Sequence, residues 1–511
     1  MNLKSFYQNN SRIKLAILSV ALILSGQNQA SIFAADEFFK NKDYNNAKSE
    51  YLKSAELGSP KAYYQLGTLY LKGLTGPASY LDALVWFSLA AEYQFNDAEQ
   101  VVTQLLALLP EAQQSDIQNV LATFKEKYGK QIVEQKYFPE FKYENIAHTI
   151  SFGDAEGPDA TLVTHDEIFT PIHEEISFEY TTEELGGFED DFGVQSNDWQ
   201  SENTNPQPDF FNRPYLLIAD YDLAPDGTAR NVEPVQTIGY TRRAMESLRQ
   251  METALPEFNG QPVYFVNRIN MGMASYSKFE MADKNQALYD RIRRMARKLK
   301  KSNELEDRYQ YAMALKNFSW LPQAQNEAEH LLKRVAEDGH PIAQYEYGLL
   351  LYREQSDIKQ GINWIASASK FGLTKAEYRL GHILQLSPWV VNDEAKALYW
   401  YLSAAEKNYK PALLKAAELK LVAKDKTLID LAGATQLLER VGPKKEEEPE
   451  YHYLLSLTKL SGPNRNLKVA FQSMRKAIDL AESYNWDVSA WQSQLDEWTR
   501  GTVRITNESV Y

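Results

Sequence analysis

The chain has 511 residues, and its 44% hydrophobic content can build the cores of about two to four domains. Its formal net charge of −14 argues against nucleic acid as a partner, because binding to a phosphate backbone relies on Lys and Arg. The absence of cysteine excludes a disulfide framework, a cysteine nucleophile and lipid attachment at a signal-cleavage cysteine.

The first residues have the composition of a secretion signal. Its basic start consists of Lys4, Arg12 and Lys14. The apolar run 15–24 follows, and small residues then offer cleavage at Ala30 or Ala34. We therefore expect a signal peptide over 1–35, a mature chain that begins near Ala35 and a periplasmic location. The alternative is an uncleaved signal that tethers the chain to the inner membrane. The run is shorter than the roughly 20 apolar residues of a spanning helix, so no stable transmembrane anchor is expected after cleavage.

A sequence pattern recurs at a fixed spacing in two parts of the chain. In the first part it recurs after 36 residues, so that Ala47, Tyr51, Ala55 and Ala62 match Ala83, Phe87, Ala91 and Ala98. In the second part it recurs after 33 residues, so that Gly339, Ala343 and Gly348 match Gly372, Ala376 and Gly381. Periods of this size are typical of stacked helix pairs. We predict helical repeats over 36–140 and over 281–500, followed by a tail at 501–511.

Glycines mark the predicted helix ends within the repeats. Gly58, Gly339 and Gly372 each follow an amphipathic stretch, where a helix often ends on a left-handed residue, and Asn408 takes the same place in another copy. Three phrases resemble Sel-1-like repeats, the helical-pair relatives of tetratricopeptide repeats: AYYQLGTLYLKG, AQYEYGLLLY and DEAKALYWYLSAAEKNYKPA. This resemblance implies a scaffold that binds a protein or peptide partner.

Three tyrosines occupy equivalent positions in the repeats. Tyr64, Tyr345 and Tyr378 each come two residues after the repeat alanine. A row of aromatic side chains can line a peptide-binding groove, and this is one interpretation of the three residues. The alternative is that a residue which returns in each copy packs between helices.

An acidic span separates the first array from the rest of the chain. Between Tyr143 and Asn212 the sequence has seventeen Asp or Glu and no Lys or Arg. We expect residues 141–212 to form either a flexible connector or an extended strip that lies on something basic, because like charges oppose compaction.

A basic segment that could receive this strip lies later in the chain. The segment 291–301, RIRRMARKLKK, has seven cations, and Ile292, Met295 and Leu299 follow at helical spacing. It predicts an amphipathic helix with a cationic face. That face is either solvated or paired with the acidic span, and contact with a membrane surface is the alternative.

Between the acidic span and the second array, residues 213–280 predict a small α+β domain. Its predicted elements are a strand at 215–223, a Pro-Asp-Gly turn at 224–227, a return strand at 228–236, a helix at 241–255 and a third strand at 262–268. The phrases DLAPDGTARNV, AMESLR and NGQPVYFV, in this order, resemble the C-terminal domain of TonB-type energy transducers.

The resemblance implies that an extended peptide is received at a sheet edge, as an added strand. The residues that correspond to the receiving strand are Tyr264, Phe265, Val266, Asn267 and Arg268. The alternative is that the acidic span covers this strand. The chain departs from the family because its domain is internal and no proline-rich spanning segment is present. We therefore expect binding without energy coupling.

No residue pattern predicts catalysis. The seven histidines form no HExxH motif, and the local cluster of His165, His173, Glu174 and Glu175 lies in an acidic span where such residues are common by composition. Ser275 and Lys278 form an SxxK pair, but this pattern recurs elsewhere in the chain by chance. We predict no catalytic residue, no cofactor and no metal site.

Together these features predict a mainly α fold, in which two α-solenoid arrays of helix-pair repeats flank a small strand-strand-helix-strand domain. The predicted function is that of a non-enzymatic periplasmic scaffold or adaptor for protein–protein interaction. One alternative is TonB-like engagement of an outer-membrane receptor or of an energy-transduction component. The other is a metal-dependent envelope enzyme built around the acidic span.

Overall fold

The structure is a computed structural model that describes residues 32–108, 111–153, 214–442, 447–462 and 465–500. It is 64% helical, with repeated helix pairs and a small sheet region in the middle, which confirms the predicted fold class. Most of the predicted signal peptide, most of the acidic span with its histidine cluster, and the tail at 501–511 lie outside the described residues.

Helices dominate both ends of the chain. The N-terminal helices are α1 (Ile32–Lys40), α2 (Tyr44–Glu56), α3 (Pro60–Lys72), α4 (Tyr80–Ala91), α5 (Ala98–Ala107), α6 (Glu111–Tyr128) and α7 (Lys130–Tyr137). The central helices are α8 (Arg242–Arg249), α9 (Lys278–Lys284), α10 (Gln286–Leu299), α11 (Leu305–Asn317) and α12 (Glu327–Glu337). The C-terminal helices are α13 (Pro341–Arg353), α14 (Ile358–Lys370), α15 (Thr374–Leu386), α16 (Glu394–Glu406), α17 (Lys410–Val422), α18 (Leu431–Glu439), α19 (Pro449–Leu460), α20 (Leu467–Ser483) and α21 (Ser489–Thr499).

The repeat helices end where the glycines predict. Gly58, Gly339 and Gly372 have φ values of 72°, 90° and 80°, and Asn408 has a φ of 58°. These are left-handed conformations, which glycine adopts without steric cost and asparagine at a small cost. The predicted helix ends are confirmed.

Small residues let the paired helices approach closely. At Gly348 in α13, an added Cβ would lie 2.7 Å from the carbonyl oxygen of Gly361 in α14. At Gly381 in α15, it would lie 2.8 Å from the ring of Tyr401 in α16. No room for a methyl group remains at either position, so the sequence needs glycine there.

Two small antiparallel sheets lie in the middle of the chain. The strands are β1 (Ser151–Phe152), β2 (Leu216–Leu223), β3 (Ala229–Ile238), β4 (Pro256–Phe258), β5 (Gln261–Pro262) and β6 (Phe265–Gly272). One sheet has the order β3-β2-β6 and the other has the order β1-β4-β5. Leu217 pairs with Thr237 of β3 and with Met271 of β6, so β2 is the central strand of the larger sheet.

The predicted helix at 241–255 is too long. Helix α8 ends at Arg249. Pro256 disfavours helical geometry at the residue before it, Leu255. The N–H of Thr253 instead donates to the carbonyl oxygen of Gly227, at 2.9 Å. This stretch of backbone is therefore bound to the hairpin turn.

The third strand begins three residues later than predicted. Asn259 and Gly260 have φ values of 51° and 74°, which is the geometry of a two-residue hairpin turn. This turn pairs β4 with β5, so Pro262 belongs to the smaller sheet. The strand next to β2 is therefore Phe265–Gly272.

Strand β2 is buried along its whole length, because both of its faces are covered. Leu217, Ala219, Tyr221 and Leu223 belong to a core formed with α13 to α19. Leu216 and Ile218 belong to a second core formed with α10 to α13. The strand therefore joins two hydrophobic cores, each of which also contains repeat helices.

Residues 138–152, which we call the strap, follow the last N-terminal helix and end with β1. The strap lies on the turns after α13 and α15. The backbone N–H of Lys142 donates to the carbonyl oxygen of Trp389 at 2.9 Å, and the Trp389 indole N–H donates to the carbonyl oxygen of His148 at 2.8 Å. Gln355 hydrogen-bonds both the N–H and the carbonyl oxygen of Ile150, at 2.6 and 3.0 Å. The first residues of the predicted acidic span are thus bound to the C-terminal array.

Candidate interaction surfaces

The hairpin of β2 and β3 lies against the first helices of the C-terminal helix pairs. We call the side of α13, α15 and α17 that faces it the first-helix surface. The polar side chains of this surface are buried or nearly so: Glu346, Arg353, Tyr378, Arg379, His382 and Lys415. Buried charges are costly unless they are paired, so their partners decide what this surface can bind.

Asp220 of β2 forms one of these pairs. Its carboxylate accepts hydrogen bonds from Arg268 of β6 at 2.6 and 2.8 Å, and from Arg353 of α13 at 3.0 Å. Arg268 also lies 2.9 Å from the Glu346 carboxylate. Burial alone would raise the pKa of Asp220, but the hydrogen bond and the charge of Arg268 outweigh it and hold this pKa below its ordinary value. The carboxylate is therefore an anion held between two guanidinium groups.

Asp222 lies two residues further along the same strand face, and only 1% of it is exposed. One carboxylate oxygen accepts a hydrogen bond from Arg379 of α15. The other accepts from the hydroxyl of Tyr378 at 2.7 Å and from the side-chain amide of Asn231 in β3 at 2.9 Å. Burial opposes ionisation here too, but the Arg379 charge and these donors hold the pKa of Asp222 well below its usual range.

The surface continues toward α17 through His382 and Lys415. The His382 ring lies edge-on to that of Tyr264, with 5.6 Å between the centroids. Burial lowers the pKa of the His382 imidazole to about 4, and the Asp222 carboxylate offsets this effect only in part. Lys415 lies 3.0 Å from Glu418 and 3.2 Å from Glu450. The charge of Lys415 at this end of the surface is therefore balanced by carboxylates of the same chain.

The hairpin tip is fixed on the turn that precedes α21. The guanidinium group of Arg230 lies 4.1 Å from the centroid of the Trp486 ring and donates to Asp226 at 2.7 Å. Asp226 also accepts a hydrogen bond from the backbone N–H of Asp487 at 3.1 Å. The hairpin thus contacts the C-terminal array from α13 to the turn before α21. The first-helix surface is therefore occupied by the hairpin of the same chain.

Asp220 and Asp222 are interface residues that the sequence-based predictions missed. A signal was present, because the two carboxylates alternate on one face of an otherwise apolar strand, LLIADYDL. A carboxylate in a buried strand requires a cation opposite it. The positions of those cations, Arg353 and Arg379, do not follow from the strand sequence.

The three repeat tyrosines have different environments. Tyr345 and Tyr378 are only 5% and 2% exposed, in agreement with the interpretation that they pack between helices. Tyr64 is partly exposed, and its hydroxyl donates to Asp97 at 2.7 Å, while its ring packs edge-on against Phe87. These side chains do not form a shared open groove among the described residues.

The five residues predicted to receive a peptide lie just before and within β6. Phe265 and Val266 are buried, and the Phe265 ring stacks on that of Tyr352 with 5.7 Å between the centroids. The side chains of Tyr264 and Arg268 face the first-helix surface, as described above. Asn267 is exposed. A partner at this strand would therefore contact its backbone. Of the five predicted side chains, it would contact that of Asn267.

The backbone of β6 has an outer edge. The N–H of Met273 donates to the carbonyl oxygen of Tyr215 at 2.7 Å, and hydrogen-bonded pairs alternate along an antiparallel ladder. The N–H and carbonyl groups of Arg268 and Asn270 therefore face away from β2. The Arg268 N–H donates to the Asn267 side chain at 2.9 Å. Within the described ranges, no protein group hydrogen-bonds the backbone of Asn270 on this edge.

The described residues include no group of three or more His, Asp or Glu side chains that could hold a metal ion. The predicted alternative of a metal site at His165 and His173 lies outside these residues. No helix in the described part of the chain is long and apolar enough to cross a membrane.

Three segments of the chain match the Sel1 repeat model: residues 60–92, 341–370 and 374–409. These segments coincide with the helix pairs α3–α4, α13–α14 and α15–α16. These three segments of the chain are therefore Sel1-like helical repeats. Repeats of this kind suggest a protein-binding scaffold, and none of the similarities indicates a catalytic family. The resemblance of residues 213–280 to the TonB domain stays a prediction.

The similar solved structures have low sequence identity to this chain. The Sel1 repeat protein from Oxalobacter formigenes is 18% identical, over 40% of this chain and 83% of that one, with a TM-score of 0.32. The uropathogenic Escherichia coli protective antigen c5321, which displays an SLR fold, is 15% identical over 95% and 81%, with a TM-score of 0.33. Yeast Tom70 is 14% identical over 91% and 95%, with a TM-score of 0.24. No curated protein matches the chain.

Proposed function

We propose that this protein is a non-enzymatic scaffold or adaptor of the periplasm, and that it binds a protein or peptide partner along the outer edge of β6. The observation that carries the proposal is the backbone of Asn270, whose N–H and carbonyl groups face outward without a protein hydrogen-bond partner among the described residues. An edge with such groups accepts an extended peptide as an additional strand. The Sel1 repeats support the scaffold role.

The first-helix surface of the C-terminal array is a weaker candidate for the partner site. A partner that entered it would have to displace the hairpin, which would leave Asp220, Asp222 and their arginines without partners. Breaking a buried ion pair in this way costs about 3–5 kcal/mol. Binding at β6 leaves every one of these pairs intact.

The periplasmic part of the proposal depends on the signal-like residues 1–35, with their basic start, apolar run and small residues.

The edge is tested by comparing Asn270→Pro with Asn270→Ala in cross-linked capture from an envelope fraction. Proline removes the outward N–H and is tolerated on an edge strand, whereas alanine keeps that N–H. We expect the wild type and Asn270→Ala to recover the same partner, and Asn270→Pro to lose it. Thermal unfolding of the purified variants controls for folding, since this N–H takes no part in the ladder with β2.

A reproducible partner that binds Asn270→Pro as well as the wild type would show that the edge is not its site. Recovery of no reproducible partner by the wild type would contradict the scaffold function itself.

A second candidate is TonB-like engagement of an outer-membrane receptor. The order β2, β3, α8 and β6, with its Pro-Asp-Gly turn, supports this alternative, because it retains the sequence order that resembles the TonB domain. The same capture experiment distinguishes the two candidates. An outer-membrane receptor bound through an extended periplasmic segment favours the second candidate, and a partner of another class favours the general scaffold.

A further inference from the structure

Helix α10 carries a cationic face that the proposed function does not use. Its opposite face is buried through Tyr289, Ile292, Ala296 and Leu299. The amphipathic helix predicted for residues 291–301 is thus present, although it begins at Gln286 and ends at Leu299. The exposed cations on and just after it are Arg293, Arg294, Arg297, Lys298, Lys300 and Lys301.

Four of these cations form a continuous stripe. Arg294, Arg297, Lys298 and Lys301 follow the spacing that places side chains on one side of a helix. Together with Ser302 and Asp307, they line a shallow depression of about 730 Å³. We call these four cations the cationic stripe.

The cationic stripe lacks ion-pair partners in the described part of the chain. None of its four side chains lies within 4.0 Å of a carboxylate there, whereas the neighbouring Lys300 lies 3.7 Å from Glu327. Like charges at this spacing repel one another. The preference of a helix C-terminus for cations offsets this repulsion only within the last turn. A polyanion bound to the stripe would reduce the repulsion between the four cations.

The same chain supplies a polyanion of suitable length. Residues 154–212 contain sixteen Asp or Glu and no Lys or Arg. The described chain resumes close to the segment that leads into α10, because the N–H of Met273 donates to the carbonyl oxygen of Tyr215 at 2.7 Å. Leu216 also belongs to the hydrophobic cluster that includes Tyr289 and Ile292 of α10. A helix of this length spans roughly 21 Å, which about seven extended residues can follow. The acidic segment is therefore long enough to follow the stripe, and it ends close to the part of the chain that leads into α10.

We propose that the cationic stripe of α10 is the docking site for the acidic segment 154–212 of the same chain. The contact is carried by exposed charges, so it weakens as salt screens them. Because the segment belongs to the same chain as the helix, its carboxylates stay at a high local concentration and compete with anionic partners from solution.

Zero-length carbodiimide cross-linking of the purified full-length chain tests this proposal, because the reagent joins only amines and carboxylates that touch. At low ionic strength, we expect Lys298 and Lys301 to link to carboxylates between residues 154 and 209, within one chain and several times more often than the exposed Lys468. High salt removes these links. The double variant Arg294→Glu/Arg297→Glu is expected to lose them.

The matched control is Arg465→Glu/Arg475→Glu, which changes the net charge equally at exposed positions elsewhere and leaves the links in place. Links at Lys298 and Lys301 that are no more frequent than at Lys468, or that form only between two chains, would overturn the proposal. So would an absence of links together with sedimentation of the chain on phosphatidylglycerol vesicles, which would make the stripe a membrane contact. The experiment uses the purified chain alone, so its result is independent of the partner test at β6.

Discussion

At the scale of single residues, the alternation of apolar and charged side chains in β2 fixes the register of the hairpin. Asp220 and Asp222 face the arginines of the C-terminal array, while Leu217 and Ala219 face a hydrophobic core. A slip of one residue would turn both carboxylates into that core. Buried ion pairs add little net stability relative to apolar packing, and their clearer contribution here is to exclude other registers.

His382 makes the stability of the fold depend on pH. The pKa of its imidazole is about 4 in the folded protein, against an unfolded value of about 6.5. Between these values the unfolded chain binds a proton that the folded chain does not, so stability is present above pH 6.5 and falls with decreasing pH. The predicted slope of this contribution reaches about 1.4 kcal/mol per pH unit.

Urea unfolding of the wild type and of His382→Gln, at pH values between 6.5 and 5, measures this slope. We expect the variant to lose less stability over this range, because it has no imidazole to protonate. Parallel pH profiles for the two proteins would contradict the prediction. The comparison uses the slope of the unfolding free energy against pH, so the packing cost of the substitution, which is the same at every pH, does not affect it.

At the scale of elements, the close approach of paired helices depends on single glycines. Alanine at Gly348 would place its Cβ 2.7 Å from the carbonyl oxygen of Gly361 and 2.9 Å from the backbone nitrogen of Ile365. Both contacts are with backbone atoms, so α13 and α14 would have to move apart. Overpacking of this kind costs about 1–3 kcal/mol, from which the helix propensity of alanine recovers roughly 1 kcal/mol.

We therefore predict that Gly348→Ala lowers the free energy of unfolding by up to about 2 kcal/mol in urea titrations. Gly442→Ala is the matched control, because an added Cβ at Gly442 meets no atom within 4 Å, and we expect a change within about 0.5 kcal/mol. Equal effects at the two positions would mean that the close contact at Gly348 does not determine the cost.

The repeats were predictable because their signals are local. Glycine ends a helix, and a small residue marks a close contact, whatever the rest of the chain does. The turn at Asp226 and Gly227 was predictable for the same reason. The predicted end of α8 was wrong because the spacing of Leu248 and Leu255 suits one helix face, whereas Pro256 opposes helical geometry at Leu255 and outweighs that spacing.

The interface between the hairpin and the repeats could not be predicted from these local signals. The residues that meet there are far apart in sequence: Asp222 and Arg379 are 157 positions apart. The alternation of carboxylates and apolar side chains in β2 indicates that cations lie opposite Asp220 and Asp222, but several arginines in the repeats could supply them. Only the three-dimensional arrangement selects Arg353 and Arg379.

At the scale of the whole molecule, the two arrays contact each other directly and through the strap. The indole N–H of Trp400 in α16 donates to the carbonyl oxygen of Tyr137 in α7 at 2.7 Å. Lys370 at the end of α14 lies over the rings of Tyr93 and Phe138. The N-terminal helices therefore form part of the same packed body as the C-terminal array.

This packing bears on where a signal peptide would be removed. Ile32 in α1 is 1% exposed, and its N–H donates to the carbonyl oxygen of Phe371 at 3.4 Å. Cleavage after Ala30 keeps α1 whole, whereas cleavage after Ala34 removes this contact. In place of the start near Ala35 expected from the sequence, we therefore predict that mass spectrometry of the mature protein finds Ser31 as its first residue. A first residue at Ala35, or an intact signal in an inner-membrane fraction, would contradict the prediction.

The position of β2 between two cores also affects how the chain folds. In an ordinary repeat array each unit contacts only its neighbours, so folding can begin anywhere and spread. Here one face of β2 packs on helices from α13 onward, which are made more than a hundred residues after the strand, and such distant contacts slow folding. Until α13 and α15 emerge from the ribosome, Asp220 and Asp222 have no cations from the array, and the apolar side chains of β2 lack most of their cover. The newly made hairpin therefore exposes an apolar strand until those helices are made, and surface of this kind makes a folding chain prone to aggregation.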